Sequence, residues 1–291
     1  MSKLSVHPIK ITDTGFNPVD TSPATLDAVE NYLVSAGYEV RHLDVATIKD
    51  RFLDYRKHPQ YDGDYRLYAG TPEHCMLEKA LEHFLGFELL AIRPGMIGID
   101  VGSCKSVAPA LIRDHYRCAC YEQDLAYTPG VHEWKIGSSA DSIPLPDESI
   151  DFATLHCTFE HFEGSADTGF VREIARLLKP TTTSAVVIAP LYLNAHYVNV
   201  TGEPDHAARS SIGFDHLAQH HSFVEGWDNR FGRHYSPAAL IDRVLVPARQ
   251  CNLRACIYRV ENWSAIHEQL WIRWILKLSK AVQSEPLKGP E

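Results

Sequence analysis

Residues 96–125 read MIGIDVGSCKSVAPALIRDHYRCACYEQDL, and the order of the patterns in this stretch decides the fold class. A short apolar strand leads into a glycine-containing turn, a helical run with apolar residues one turn apart, and a second strand. This succession predicts a strand-helix-strand unit. Further along, apolar runs at 150–157 and 184–193 flank a helical pattern at 165–180. Strands that alternate with helices at this spacing indicate an α/β fold with a doubly wound, mostly parallel sheet covered on both faces.

Length and composition are those of a globular chain. The 291 residues include 45% hydrophobic and 22% charged residues, which excludes general disorder. The 28 lysines and arginines against 37 aspartates and glutamates give a formal net charge of −9, which argues against nucleic acid as a partner because phosphates need a basic surface. The 7 cysteines fall mostly in apolar runs, as in a reduced chain. We therefore expect a small-molecule or saccharide substrate and a cytoplasmic location, and the sequence leaves the oligomeric state open.

The patterns divide the chain into two parts. Residues 1–84 are expected to form an N-terminal extension or cap, and residues 85–291 a Rossmann-like domain. Within that domain, residues from about 192 to 233 contain five histidines and little periodicity, and they are too many for an ordinary loop. We expect them to be an insertion after the fifth strand that covers or lines a site. Ser-Pro pairs at 22–23 and 236–237 are expected to begin helices.

The stretch LWIRWILKLSK at 270–280 allows two interpretations. As an amphipathic helix it would place tryptophan and leucine beside arginine and lysine and could contact a membrane surface. As a strand it would place Arg273 and Lys277 on one face, and the period of two fits better. The other face of that strand would carry Leu270, Ile272, Trp274, Leu276 and Leu278. The pattern thus favours a last strand of the sheet.

The turn IDVGSCKS at 99–106 is the best candidate for a ligand site. A strand that ends in an acid and a tight glycine turn into a helix place backbone N–H groups and a carboxylate at the carboxyl edge of the sheet. The stretch has neither GxGxxG nor the phosphate-binding GxxxxGK[ST], which disfavours a dinucleotide or a nucleoside triphosphate. A second acid is expected about 20 residues later, to bind a ribose diol. Glu122 and Asp124 are the candidates.

Taken together, four segments resemble the class I S-adenosylmethionine-dependent methyltransferases. They are IGIDVG at 97–102, ADSIPLPDESIDFATLHCTFEHF at 140–162, FVREIARLLKP at 170–180 and SAVVIAP at 184–190. The resemblance covers roughly residues 85–191 in order and at the family's spacing. It implies a seven-stranded sheet whose last strand is antiparallel, methyl transfer as the activity, and S-adenosylmethionine as the cofactor.

A narrower resemblance concerns the acceptor. The segments LHCTFEHFEGSADTGF, APLYL and RHYSP are similar to methyltransferase-like proteins encoded with enzymes of polysaccharide or glycan biosynthesis. This similarity implies O-methylation of a sugar, a nucleotide sugar or a related intermediate. The alternative is a fold that has lost methyl transfer and serves as a binding or assembly module in a glycan-synthesis complex.

The resemblance also assigns cofactor-binding positions. Asp100 and Gly102 would form the contact at the first turn, with the backbone of Ser103 in place of a second family glycine. Asp124, or otherwise Glu122, would bind the ribose hydroxyls. The remaining positions are Ser139 and Ala140, which match the family's Asp-Ala pair beside the adenine, and His156, which lies where the methionine end of the cofactor passes. A serine at 139 can still bind the adenine amino group, but without the charge of a carboxylate.

His156 and His161 are the candidate general bases, because an imidazole titrates near neutral pH and can take a proton from a sugar hydroxyl. The alternative is that either ring only packs against the end of the strand. In the segment 205–221, the spacing of His216 and His220 would place two imidazoles on one face of a helix, but four metal ligands are not evident and no metal is expected. Arg230 and Arg233 are candidates for binding an anionic group of the substrate.

Overall fold

The computed structural model describes residues 20–63, 72–104 and 106–281. The strands, in chain order, are β1 (Glu39–Asp44), β2 (Ile97–Val101), β3 (Ala119–His132), β4 (Lys135–Gly137), β5 (Phe152–His156), β6 (Ala185–Ala189), β7 (Val198–Thr201), β8 (His220–Phe223), β9 (Gly232–His234), β10 (Leu253–Glu261) and β11 (Trp274–Lys280). Eight of them form one sheet in the order β1-β10-β11-β6-β5-β2-β3-β4. The other three form a small sheet in the order β8-β7-β9.

The α-helices, in chain order, are α1 (Pro23–Ser35), α2 (Val45–Tyr55), α3 (Gln60–Gly63), α4 (Glu73–Leu90), α5 (Ala108–Asp114), α6 (Ala166–Leu177), α7 (His206–Arg209), α8 (Pro237–Leu240) and α9 (Val246–Gln250). A π-helical turn at Ile241–Leu245 joins α8 to α9. Both Ser-Pro pairs begin a helix as predicted. The hydroxyl of Ser22 accepts the N–H of Thr25, and that of Ser236 accepts the N–H of Ala239.

The main sheet confirms the predicted α/β fold, with one strand more than the expected seven. β2 pairs in parallel with both β3 and β5, and β5 pairs in parallel with β6. β11 is antiparallel to both of its neighbours, β10 and β6. The additional strand is β1, which extends the edge of the sheet by pairing in parallel with β10. The division of the chain at residue 84 stays a prediction, and β1 on its N-terminal side belongs to the same sheet as the central strands.

The segment 270–280 ends in a strand, so the helical interpretation was wrong for this part of the chain. β11 begins only at Trp274, and from there the alternation holds, since Trp274, Leu276 and Leu278 pack in one core and Ile275 in the other. The predicted face is wrong for Leu270 and Ile272, which precede the strand and pack in the same core as Ile275. Alternate residues share a face only where the backbone is an extended strand, so the pattern does not apply to residues that precede β11.

Helices cover both faces of the main sheet, as the doubly wound pattern predicted. On one face, α1, α6 and α8 pack on the sheet through Leu26, Phe170 and Leu240, each at most 3% exposed. On the other face, α2, α4 and α5 form a second core, which also contains Cys118 and Cys120. The interpretation of these cysteines as core residues is confirmed. Among the described residues, no helix has the length and apolar character needed to cross a membrane.

The predicted insertion folds around the small sheet. β7 pairs in parallel with β8 and antiparallel with β9. Asp167 of α6 anchors this unit, since its carboxylate lies 2.6 Å from a nitrogen of Arg233 and 2.7 Å from one of Arg243. The hydroxyl of Tyr235 also donates to Asp167, at 2.8 Å. The side chains of Asp167 and Arg233 are both 0% exposed, so a fully buried ion pair connects the insertion to the main domain.

Candidate active site

The first turn after β2 has the geometry that a cofactor-binding turn requires. The φ of Gly102 is +69°, and a Cβ at this position would lie 2.2 Å from the Cγ2 atom of Thr158. A side chain is therefore excluded on both conformational and steric grounds. Asp100 is 2% exposed and accepts a hydrogen bond of 2.7 Å from the hydroxyl of Thr154. Burial raises the pKa of Asp100 to about 7.

Asp124 lies against this turn, and Glu122 is engaged elsewhere. One oxygen of Asp124 accepts the N–H of Cys104 at 2.9 Å, and the other accepts the N–H of Ala126 at 2.8 Å. Each carboxylate oxygen has a second lone pair, which leaves Asp124 able to accept further hydrogen bonds. Glu122 instead accepts from Arg113 at 2.7 Å. Of the two acids, Asp124 is the one hydrogen-bonded to the first turn.

The other three predicted cofactor-binding residues differ in burial and in their hydrogen bonds. They are Ser103, Ser139 and Ala140. Ser103 is 1% exposed, and its N–H donates to the carbonyl of Gln123. Ser139 is exposed and donates to the carboxylate of Asp141, whereas Ala140 is buried. The sequence did not single out Gln123, whose side chain links these segments. Its amide donates to the carbonyl of Ser138, and its oxygen lies 3.4 Å from the nitrogen of Gly102.

A cavity of about 530 Å³ lies beside the first turn, and we call it the central cavity. One wall is formed by residues that follow β2 and β5, and another by the inner surface of α4. The insertion covers it with residues from β7, β9 and the segment between β8 and β9. Its lining includes Lys79, His83, Gly102, Cys104, His156, Cys157, Glu160, His161, Tyr192, Trp227, Asn229, Gly232 and His234. The expectation that residues 192–233 line a site agrees with this position.

His156 lines the central cavity at the end of β5, but its ring is held by aromatic packing. The ring centroids of His156 and His83 are 4.5 Å apart, and those of His156 and Phe87 are 5.8 Å apart. Within the described part of the chain, neither ring nitrogen of His156 has a hydrogen-bond partner. Burial lowers the pKa of His156 to about 3. The ring therefore stays neutral and holds an added proton poorly.

His161 has a defined tautomer in the same cavity. Its Nδ1 lies 2.6 Å from the carbonyl oxygen of Phe231. A carbonyl can only accept, so Nδ1 carries the proton and the neutral ring has its lone pair on Nε2. Nε2 lies 3.7 Å from Oε1 of Glu160, beyond hydrogen-bond distance. His161 thus has a free basic nitrogen beside a buried carboxyl group.

Four residues that the sequence analysis missed complete the polar wall of the cavity. The ammonium of Lys79 donates to Glu82 at 3.2 Å, and the thiol of Cys157 donates to the same carboxyl group at 3.3 Å. Burial raises the pKa values of Glu82 and Glu160. Burial disfavours the charge of Lys79, but the surrounding acidic groups raise its pKa above the ordinary value. Lys79 and Cys157 are far apart in sequence, so no spacing pattern reveals this group.

The structure separates the two histidines of the insertion and pairs its two candidate arginines with acidic side chains. His220 begins β8 and is not on a common helix with His216, so the two imidazoles do not share a helical face. Among residues 20–63, 72–104 and 106–281, no group of three or more potential ligands could hold a metal ion. The arginines are paired within the protein, Arg230 with Glu163 at 2.8 Å and Arg233 with Asp167. Neither is among the residues that line the central cavity.

Comparison with known proteins assigns the central part of the chain. Residues 99–186 match the family described as "Methyltransferase domain". This match contains the end of β2, the first turn, Asp124 and the segment with His156 and His161. Residues 99–186 therefore form a methyltransferase domain, which supports methyl transfer as the activity of the chain and S-adenosylmethionine as its cofactor. No curated protein matches the sequence.

Solved structures show similar folds at low identity. A 1,6-didemethyltoxoflavin-N1-methyltransferase of Burkholderia thailandensis, crystallised with 1,6-didemethyltoxoflavin and S-adenosylhomocysteine, is 14% identical, with a TM-score of 0.43 over 91% of this chain and 94% of its own. A methyltransferase of Methanosarcina mazei is 13% identical, with a TM-score of 0.39, and the match covers 66% of this chain and 95% of that protein. The YcgJ protein of Bacillus subtilis is 17% identical, with a TM-score of 0.35, and the match covers 60% of this chain and 69% of that protein. Similarities of this size do not identify the acceptor.

Proposed function

We propose that the protein transfers a methyl group to a hydroxyl oxygen of a sugar or of a glycan-biosynthesis intermediate. The observation that carries this proposal is the mixture of donors and acceptors in the central cavity. Lys79 offers N–H donors, Glu160 and Nε2 of His161 offer acceptors, and the amide of Asn229 offers both. Each hydroxyl of a sugar can donate and accept, so a polyol satisfies such a wall better than an apolar ligand. A cavity of about 530 Å³ also suits a small molecule.

The cofactor fits beside the first turn. Gly102 lines the central cavity, and a Cβ at this position would lie 2.2 Å from Cγ2 of Thr158, so only glycine fits this wall without displacing it. In the proposed arrangement, Asp100, Gly102 and Ser103 hold the methionine end and Asp124 accepts the ribose hydroxyls. Ser139 and Ala140 lie beside the adenine. When bound, S-adenosylmethionine supplies an electrophilic methyl group on a sulfonium.

His161 is the proposed general base. His161 lines the central cavity, its Nδ1 is held by the carbonyl of Phe231, and its Nε2 accepts the proton of the reacting hydroxyl as the oxygen-carbon bond forms. The carbonyl of Phe231 keeps the ring in this tautomer and stabilises the positive charge that develops. His156 is the weaker candidate, because a pKa of about 3 does not match proton uptake near neutral pH. Its proposed role is to pack against His83 and shape the methionine end of the site.

Alignment of the acceptor is the second contribution of the chain. Methyl transfer needs the acceptor oxygen in line with the sulfur-carbon bond, and a cavity with walls on several sides restricts the orientations of the acceptor. The insertion supplies this enclosure through Trp227 and His234. The buried ion pair between Asp167 and Arg233 holds the insertion in place. A small-molecule acceptor and a cytoplasmic location remain part of the proposal, and the free state of all seven cysteines is compatible with a reducing compartment.

The test is methyl transfer to defined sugars. The purified protein is incubated with S-adenosylmethionine and, in separate reactions, UDP-glucose, UDP-galactose, GDP-mannose and free hexoses, and S-adenosylhomocysteine formation is measured. Calorimetric titration with S-adenosylhomocysteine shows that the same preparation binds the cofactor product. The proposal expects turnover that depends on one class of sugar. Cofactor binding without turnover on any sugar would refute the assignment of the acceptor.

A further inference from the structure

Glu160 is a buried carboxyl group that the proposed chemistry does not use. It lies in the 3₁₀ turn Phe159–His161 that follows β5, and it lines the central cavity. Its side chain is only 8% exposed, and its Oε2 atom has no hydrogen-bond partner among the residues that the structure describes. Buried polar groups in proteins nearly always have a partner. An unsatisfied carboxyl oxygen at a cavity wall therefore indicates a donor that arrives with a ligand.

The neighbours of Glu160 do not supply that donor. His161 approaches Oε1 of Glu160 only to 3.7 Å, and its Nδ1 proton is used by the carbonyl of Phe231. The ammonium of Lys79 donates to Glu82, and no group among the described residues donates to Oε2 of Glu160. Glu160 and Nε2 of His161 thus form two adjacent acceptors on the same wall.

We propose that Glu160 is a specificity-determining residue that accepts a hydrogen bond from the hydroxyl next to the one that is methylated. This inference rests on the proposed function and narrows its acceptor to a vicinal diol. Neighbouring hydroxyls on a sugar ring lie within hydrogen-bond distance of each other. Nε2 of His161 lies 3.7 Å from Oε1 of Glu160, so the imidazole and the carboxyl group can each take a hydrogen from one diol.

The two hydroxyls have different fates. The reacting hydroxyl loses its proton to Nε2 of His161 as its oxygen bonds to the methyl carbon and the sulfur-carbon bond breaks. The neighbouring hydroxyl keeps its proton in the hydrogen bond to Glu160. A ligand with an isolated hydroxyl leaves Glu160 without a partner, and the site discriminates against it for this reason.

The experiment compares two acceptors and three variants. The first acceptor is the nucleotide sugar that supports turnover, with the methylated oxygen located by NMR of the product. The second is the same sugar lacking the hydroxyl next to that oxygen. Wild type is compared with Glu160→Ala, with Glu160→Gln, which keeps one acceptor and the size of the side chain, and with Glu225→Ala. Glu225 is an exposed acid of the insertion and serves as the matched control.

The expected result is a loss of discrimination. Wild type and Glu225→Ala should use the diol with a kcat/KM about 10- to 100-fold above that for the deoxy sugar, the usual cost of leaving a buried acceptor without its hydrogen-bond partner. Glu160→Ala should lower kcat/KM for the diol by a similar factor and leave the deoxy sugar unchanged, and Glu160→Gln should fall between. Melting curves and binding of S-adenosylhomocysteine establish that each variant is folded.

Three results would overturn the inference. Glu160→Ala could lower kcat/KM equally for both sugars, which is the signature of a structural role. The methylated oxygen could have no neighbouring hydroxyl, or the methyl group could be found on nitrogen. In these cases the role of Glu160 fails, and the first two leave O-methylation of a sugar standing. If no sugar is methylated by protein that binds S-adenosylhomocysteine, the proposed function and this inference fail together.

Discussion

Replacement of Asp167 by asparagine should destabilise the protein far more than replacement of an exposed aspartate. Asp167 is the centre of a buried charge network that ties α6 to the insertion. It pairs with Arg233 at 2.6 Å and with Arg243 at 2.7 Å, and both Asp167 and Arg233 are 0% exposed. Asp167→Asn keeps the size of the side chain and removes its charge. The guanidinium of Arg233 then stays buried with no opposite charge at this distance.

The magnitude follows from this burial. Removing one partner of a buried ion pair destabilises a protein by about 3–5 kcal/mol, because the remaining charge is left uncompensated. For a chain of this size, 1 kcal/mol shifts Tm by about 2 °C, so the expected decrease is about 6–10 °C. Asp147 provides the matched control. It pairs with Arg176 at 2.6 Å but its side chain is 73% exposed, and Asp147→Asn should therefore cost less than about 1 kcal/mol.

The assay is urea unfolding followed by circular dichroism, with calorimetric Tm values as a second readout. Wild type, Asp167→Asn and Asp147→Asn are measured under the same buffer and salt conditions. If the free energies of unfolding of the two variants agree within about 1 kcal/mol, the buried network is not what holds the insertion. A decrease of the expected size only in Asp167→Asn supports the reasoning.

Three further predictions concern the first turn and the base. Gly102→Ala should weaken S-adenosylhomocysteine binding in calorimetry at least about 10-fold. The control is Gly95→Ala, which should bind normally, because Gly95 also has a positive φ but no atom lies within 4 Å of its added Cβ. Equal affinities would contradict the steric argument. His161→Gln should lower kcat by about 10²–10⁴ with unchanged cofactor affinity, and a smaller effect would exclude it as the base. Because burial raises the pKa of Asp100 from 3.8 to about 7, the folded state holds this proton more tightly than the unfolded chain, and stability is lost as pH rises between those values. The free energy of unfolding of Asp100→Asn minus that of wild type should therefore be up to about 4 kcal/mol larger at pH 8 than at pH 4 in urea unfolding. The same difference at both pH values would be inconsistent with the raised pKa.

The central strands and the cofactor turn could be predicted because their signals are local. The apolar strand, the turn at Gly102 and the acid at Asp124 follow one another within about one strand-helix-strand unit. The last strand could be predicted from its alternation, although the pattern was extended four residues too far, to Leu270. The pairing of the edge strand β1 with β10 has no comparable signal, because it joins segments more than 200 residues apart.

The acceptor side of the site could be predicted only in part. His161 was recognisable as a titratable residue in a family motif, but its tautomer depends on the carbonyl of Phe231, which is 70 residues away in sequence. The group of Lys79, Glu82 and Cys157 joins α4 to the end of β5 and has no sequence pattern. The arginines of the insertion were considered as anion-binding residues, whereas burial turns Arg233 into an internal partner of Asp167. Long-range packing decides these roles.

The most direct test of the central claim is to locate a labelled methyl group after turnover. S-adenosylmethionine with a ¹³C-methyl group is incubated with the nucleotide-sugar panel, and the product is analysed by mass spectrometry and NMR for wild type and His161→Gln. The account predicts label on a sugar oxygen with wild type and at least about 100-fold slower labelling with His161→Gln. Label on nitrogen or carbon, or an equal rate with both proteins, would contradict it.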